Sequence, residues 1–588
     1  MEKAELKKLI DVAAGRVPAD LIIRGADVVD VFSGTVRKKD IVISGKWIAA
    51  VCDPSSAGEN GGDPPRAGRE EVDASGYTAI PGLIDSHIHI ESSYVTPEEI
   101  GRLLVPHGTS MIFADPHEIV NVCGLRGLDY MNRASKQTKL DIRFMLPSCV
   151  PATPYEHSGS RLDAKDMVVP IRYPEIQGLG EFMDYTGVCS GADGALDKII
   201  LAKREGKLID GHAPGLAGKE LDAYASAGIF ADHECATADD ARERISRGMY
   251  VMIREGSACH DLKELMKAVT PENSSRFVLC SDDRQPATIL SEGHIDSHLR
   301  MLTAGGIDSV TAVRMGTINA AQCFGLSDRG AIAPGRRADI TLVNNLKDFQ
   351  VHRVWIGGEL VAEDGRYLPE TRRTDISPVR GSIHIGDFSE EKLKMHLKNG
   401  HVRTMTICPG GVLTKEEFAE VKIDEEGNFV WDPQQDIAKI AVIERHHDTG
   451  NVATALIKGY GIRKGAIAMS IAHDSHNIIT VGVSDDEMAA AVFALKEQEG
   501  GIVLVGNGQV IERMPMPVAG LMTDQSGEWV DRRLRRIHRT AHEELGVNGD
   551  VEPVMTLCFM SLAVIPELKL TDEGLFDVRK FEFTTVER

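Results

Sequence analysis

PGLIDSHIHIE, Pro81 to Glu91, reads as a buried strand that ends in candidate ligands. Apolar Leu83 and Ile84 lead to His87 and His89, two positions apart. Strand side chains alternate faces, so residues i and i+2 point the same way. Two imidazoles on one face can share a cation; two solvated loop histidines would carry the same letters. The chain that follows bears on the choice. Seven further apolar runs succeed LIDSH (83–87), separated by helix-period segments: TSMIFAD (109–115), IRFMLPS (142–148), IQGLGE (176–181), KLIDGH (207–212), GIFADHE (228–234), YVMIRE (250–255) and RFVLCSD (276–282). Eight strand–helix alternations predict a (β/α)8 barrel. Such barrels place active sites at the C-terminal ends of their strands. Here nearly every run ends in His, Asp or Glu, more often than turn chemistry alone explains.

Outward from the barrel, ADLIIRGADVVDV and DIVISGKWIAAV before it alternate β-branched residues between Gly and Asp, as short strands do. GRRADITLV (335–343) and HRVWIGGELV (352–361) after it look the same and are expected to rejoin the first strands in one β-sandwich. SSAGENGGDPPRAGREE (55–71) is Gly/Pro-rich and reads as an exposed loop. Beyond a connector at about 365–385, IAKIAVIER and GIVLVGNGQVI read as strands and DDEMAAAVFALKEQEG as a helix. The expected class is therefore α/β, a TIM-type barrel with a split β-sandwich and an additional C-terminal α/β or α+β domain. The expected divisions are 1–76 and 331–385 for the two parts of the sandwich, 77–330 for the barrel and 386–588 for the C-terminal domain.

Bulk properties narrow the function. At 588 residues the chain exceeds one hydrophobic core. A net charge of −22 argues against a nucleic-acid backbone as partner. The N-terminus lacks the apolar core of a signal peptide, and no run reaches the roughly 18 apolar residues of a membrane span. Ten cysteines without a C-x-x-C pair suit a reducing compartment, so the cytoplasm is the expected location. Cys235 and Cys280 read as packing residues. A chain of this size is also expected to form a homo-oligomer.

Within the barrel, Glu181, His212, His233 and Asp282 join His87 and His89 as candidate metal ligands. Neutral histidines and carboxylates suit Mn²⁺, Fe²⁺ or Zn²⁺, and two such ions together activate water. Asp282 is also the candidate proton shuttle. One step of register exchanges it with Asp283, which contacts a substrate nitrogen or caps the next helix. Asp115, His117 and Glu118 in DPHE line a pocket, support ligands, or form a turn at Pro116. Glu234 protonates or anchors substrate, or is solvated. Arg254, Glu255 and Ser257 contact substrate or cap a helix. His473, Asp474 and His476 in IAHDSHNI bind a further metal, reach across to close the site, or shape a turn. Glu444, His446 and His447 read as a solvated segment.

These motifs resemble the metal-dependent amidohydrolase superfamily, and within it the adenine deaminase family. The resemblance rests on IDSHIHIESS, FADPHEIVNVCG, QGLGEFM, DGHAPGL, DHECAT, VLCSDDR and IAHDSHNI, and spans nearly the whole chain. It implies a binuclear divalent metal centre, with Mn²⁺ or Fe²⁺ favoured and Zn²⁺ possible, held by His87, His89, Glu181, His212, His233 and Asp282. Glu181 stands where many relatives carry a modified lysine. The implied reaction is hydrolysis of adenine to hypoxanthine and ammonia in purine salvage. Cyclic-amide hydrolysis is the alternative with the same ligands. A non-catalytic scaffold is the other, disfavoured by the cost of clustering carboxylates without a use.

Overall fold

The computed structural model describes residues 2–54 and 66–588. Eight strands make up the barrel: Leu83–Ile88, Thr109–Ala114, Asp141–Leu146, Ile176–Phe182, Leu208–Gly211, Ala231–Asp232, Tyr250–Arg254 and Phe277–Cys280. The first five pair in parallel as one sheet and the last three as another. The gaps close by single links. Phe230 N–H donates to Ile209 O (3.1 Å) between strands five and six. At the other seam, Asp282 N–H donates to His87 O (2.9 Å) and His89 N–H to Asp282 O (3.1 Å). Strands one, two and eight are buried throughout, as parallel strands under a helical layer must be. The sixth strand is the least regular of the eight: GIFADHE supplies only Ala231–Asp232, because Gly228 (φ 96°) and the turn around it delay the extended backbone.

Helices return the chain between strands. Leu125–Ser135 is typical: Leu128, Met131 and Ala134 recur at three-residue steps and face the barrel core, while Arg126 and Asp129 stay outside. Strands before and after the barrel share one nine-stranded sheet, in which Thr78–Pro81 pairs antiparallel with Ile340–Val343. Within the stretch 55–71, residues 55–65 lie outside the described residues. Its end is not a loop: Gly68–Asp73 is a strand parallel to Ala19–Asp30.

The C-terminal region is built on an eight-stranded sheet carrying the helix Asp485–Glu497. IAKIAVI (Ile437–Ile443) is a central strand buried at every position. GIVLVGNGQVI folds as a hairpin, Gly501–Gly506 and Gln509–Pro515. Asn507 and Gly508 both adopt positive φ (52° and 72°), the backbone a two-residue turn needs to match strand twist. All ten cysteines are free. Among the described residues no helix is long and apolar enough to cross a membrane.

Candidate metal centre

Strand ends bring six of the expected ligands to one place. Glu181 sits in the middle, and its two carboxylate oxygens head different groups. Around Oε1 lie His89 Nε2 at 3.3 Å and His87 Nε2 at 4.0 Å. Those two nitrogens are 3.0 Å apart, and Asp282 Oδ1 is 3.1 Å from His89 Nε2 and 3.6 Å from His87 Nε2. Around Oε2 lie His212 Nδ1 at 2.8 Å and His233 Nε2 at 3.3 Å, themselves 3.3 Å apart. Donors about 2.1 Å from a tetrahedral ion are separated by about 3.4 Å. Both groups have that spacing, and their residues are at most 8% exposed.

Local structure explains the aim of each side chain. The Nδ1 of His89 faces the carbonyl of Asp115 (3.0 Å) and that of His87 faces Asp210 Oδ2 (3.5 Å). These acceptors favour the ring proton on Nδ1 and leave Nε2 as a lone pair toward the cluster. Asp282 adopts a left-handed backbone (φ 56°), unusual for a non-glycine, in the seam that closes strand eight onto strand one. That conformation turns Asp282, rather than Asp283, onto the histidines. Arg254 Nη1 donates to its other oxygen, Oδ2, at 2.9 Å. Glu181 is fixed through its backbone N–H, which donates to Asp115 Oδ2 (2.9 Å). Only glycine fits at 180, because a Cβ there would overlap the Asp115 carboxylate.

The electrostatics call for cations. Burial alone would raise the Glu181 and Asp282 carboxyls, but neighbouring imidazoles hold both well below the usual carboxylate range. Burial alone would lower His87, yet Asp210 and Asp282 push it up to about 10. His212 is likewise opposed by burial and raised by Glu234 and Glu181 to about 9. Without metal, protons thus hold the positions the anions attract. Two atoms beside the cluster stay unmatched even so: Asp115 Oδ1 and His117 Nδ1 are buried without a hydrogen-bond partner. Imidazole and carboxylate donors, spacing and buried negative charge together fit two divalent cations bridged by Glu181.

The other expected residues divide. Asp283 lies beside the cluster with Oδ1 unpartnered, its carboxyl raised by burial and by the charge of Asp282. Glu234 Oε1 is 3.5 Å from His233 Nε2 and is ion-paired to Arg254. Burial would raise Glu234, but Arg254 and the histidines lower it. Arg254 is engaged by Glu234, Asp261 and Asp282. Glu255 accepts from His260 Nδ1 (2.8 Å) and Leu262 N–H (3.3 Å), and Ser257 Oγ meets Thr288 Oγ1 (2.8 Å) and Gln285 N–H (2.9 Å). Their polar atoms hold the loop after strand seven. Asp115, His117 and Glu118 are all buried at the mouth.

IAHDSHNI crosses from the C-terminal domain to the barrel. His473 Nδ1 is 3.3 Å from Glu118 Oε1, and Asp474 Oδ1 is 3.7 Å from His117 Nε2. His476 completes a group with Glu118 and His473 spaced for a metal, but its tautomer opposes ligation. Nδ1 accepts from Ala472 N–H (3.2 Å), so a neutral ring carries its proton on Nε2, the atom facing Glu118. Of Glu444, His446 and His447, expected as a solvated segment, His447 is exposed and His446 half-buried, but Glu444 is not solvated. Glu444 is fully buried and accepts from His447 N–H (2.7 Å), Thr449 N–H (3.0 Å) and Thr449 Oγ1 (2.9 Å), bracing a turn.

Sequence reasoning missed Asp210, Asp85 and Arg244. Asp85 accepts from Ser281 N–H (3.1 Å) and faces His294 Nε2 (2.9 Å); Arg244 Nε donates to Asp232 (2.9 Å). A signal was present: Asp85 and Asp210 each precede a ligand histidine by two residues, on the same strand face.

The model of the amidohydrolase family matches residues 78–361, and that of the adenine deaminase C-terminal domain matches residues 411–582. The chain is 58% identical to adenine deaminase 2 of Desulfotalea psychrophila and 49% identical to adenine deaminase of Ligilactobacillus salivarius, with 100% of both chains covered in each case. It is 47% identical to adenine deaminase of Nitratidesulfovibrio vulgaris, covering 99% of each.

Proposed function

The chain belongs to the adenine deaminase family, and from that premise we propose that it hydrolyses adenine to hypoxanthine and ammonia at the cluster around Glu181. The observation that carries the reading is Glu181 itself, one oxygen at the head of each ligand group. Divalent cations, when bound, would supply Lewis acidity and activate water for attack. His87, His89, Asp282 and Glu181 would hold one cation, and His212, His233 and Glu181 the other. Mn²⁺, Fe²⁺ and Zn²⁺ all suit this imidazole and carboxylate set, and the family resemblance favours Mn²⁺ or Fe²⁺.

Asp282 is the proton carrier. Its carboxylate is ionised, and Arg254 fixes Oδ2 while Oδ1 faces the cluster. It takes a proton from the attacking water and returns one to the departing amino group. The C6–O bond forms, the C6–N bond breaks, and ammonia leaves with no net proton change. Asp283, its carboxyl raised by burial and by the charge of Asp282, lies beside the cluster where it meets a ring nitrogen of the substrate. Glu234, ionised against Arg254, accepts a purine N–H. Asp115, His117 and Glu118 wall the same space.

Ammonia release from adenine, adenosine and dihydroorotate, with protein loaded separately with Mn²⁺, Fe²⁺ and Zn²⁺, tests this reading. Metal-dependent release from adenine alone is expected. Silence on adenine with turnover of dihydroorotate would overturn it in favour of cyclic-amide hydrolysis.

A further inference from the structure

His117 follows the second barrel strand and is 4% exposed. Its Nδ1 is 3.2 Å from Glu181 Oε1 and 3.8 Å from Asp115 Oδ1. Neither Nδ1 nor Asp115 Oδ1 has a hydrogen-bond partner. On the far side of the ring, Nε2 faces Asp474 Oδ1 at 3.7 Å.

The tautomer follows from Asp474. It is 3% exposed, its Oδ2 has no partner, and the imidazoles within reach of its Oδ1 are His117 and, at 3.9 Å, His473. His473 turns the same Nδ1 toward Glu118 Oε1 at 3.3 Å, the shorter contact. A buried carboxylate demands a donor, and His117 Nε2–H is the one placed to serve. A neutral imidazole has a single N–H, so Nδ1 becomes a lone pair aimed at the oxygen of Glu181 that His87 and His89 also surround. Two electron pairs facing each other at 3.2 Å are repulsive unless positive charge lies between them. An imidazolium would relieve the repulsion in the empty protein, but it would oppose cations on Glu181.

We propose that His117 is a further ligand of the metal position on Glu181 Oε1, locked in its ligating tautomer by Asp474, a positioning residue supplied by the C-terminal domain. The proposal rests on the metal-dependent reading above. It gives that domain a part in the site: ordered carboxylate–histidine–metal contacts fix both ring orientation and donor strength. The lock is itself held: Asn477 Nδ2 donates to His157 O of the barrel (2.8 Å), and His446 Nε2 meets Ser475 O within the C-terminal domain (2.7 Å).

Metal-free full-length protein is titrated with Co²⁺ against a chromophoric chelator, and the visible spectrum is recorded. Two Co²⁺ per wild-type chain is the premise; no binding would sink the metal centre and the proposal together. In His117→Gln, the amide reaches the Nε2 position and leaves Nδ1 vacant. It is expected to bind one of the two ions about 10–100-fold more weakly, with stronger d–d absorption as coordination number falls. Asp474→Ala is expected to weaken the same ion about 10-fold. Asp474→Asn keeps an acceptor for Nε2–H and is expected to retain the wild-type spectrum. Wild-type affinity and spectrum in His117→Gln would overturn the proposal. So would Asp474→Asn as weak as Asp474→Ala, which would mark an ion pair to an imidazolium instead.

Discussion

The barrel mouth and the C-terminal domain bury charge in opposite ways. In the C-terminal domain two fully buried cations, Arg445 and Lys569, are surrounded mainly by backbone carbonyls. Arg445, fully buried, donates from Nη1 and Nη2 to Ala519 O (3.1 Å each), from Nη1 to Ser382 O (3.3 Å), and from Nε to His476 O. Lys569, also fully buried, donates to Val412 O (2.7 Å) and Phe559 O (2.8 Å). At the barrel mouth titratable groups face one another, and Asp115, His117, His212, His233 and Asp283 each leave an atom unmatched. Unmatched buried polar atoms cost roughly 1–3 kcal/mol each. At the mouth, His117 Nδ1 is aimed at Glu181 Oε1 (3.2 Å), where a bound cation would satisfy both. The carbonyl-lined sites are complete alone and serve structure; the ligand groups at the mouth are left facing one another, as groups that share a cation would be.

Substitutions at the mouth should therefore damage function first. Glu181→Gln removes the link between the two ligand groups, and kcat/KM for adenine is expected to fall by roughly 10⁴-fold or more, with both cations lost on dialysis. A variant that kept two ions would break the comparison at its centre. Asp282→Asn is expected to lose about 10²–10⁴-fold in kcat. Arg254→Met leaves Asp282 Oδ2 and Glu234 without their cation. It should cost about 10–100-fold in metal affinity or rate and about 3–5 kcal/mol of stability, read by chemical denaturation.

Lys569→Met sharpens the other half, with no expected effect on turnover. Burial pushes Lys569 down to about 7, below its unfolded value of about 10.4. The folded state then binds fewer protons than the unfolded one between those values, so the lysine's contribution rises with pH there. Its penalty is full below about pH 7 and relieved toward pH 10.4. The stability of wild type relative to Lys569→Met should climb by up to about 1.4 kcal/mol per pH unit across that window. A flat difference would show that the carbonyls hold the ammonium charged.

Much of this was legible before any coordinates. Seven of the eight apolar runs hold strands close to their written limits, because parallel strands are buried on both faces and must read as continuous apolar segments. The candidate ligands were legible because each stands at, or within two residues of, the end of such a run. Asp282 and Asp283 could not be told apart by letters, since the positive φ at Asp282 belongs to the seam with strand one. IAHDSHNI was visible as a motif but not as a partner of DPHE; that relation exists only where Asp474 meets His117 across the chain. The roles of Glu255 and Ser257 were equally hidden, because loop-holding and ligand-binding use the same side chains.

The sheet that joins Thr78–Pro81 to Ile340–Val343 has a consequence for synthesis. Its first strands leave the ribosome long before their neighbour exists. From Pro81 to Ile340 there are about 260 residues, which at roughly 5–20 residues per second take about 13–50 seconds to translate. Throughout that interval the nascent chain carries an open, β-branched strand edge with nothing to pair with. Cotranslational shielding of that edge, rather than the final stability of the enzyme, is then the step at which crowded or overexpressing cells would lose this protein to aggregation.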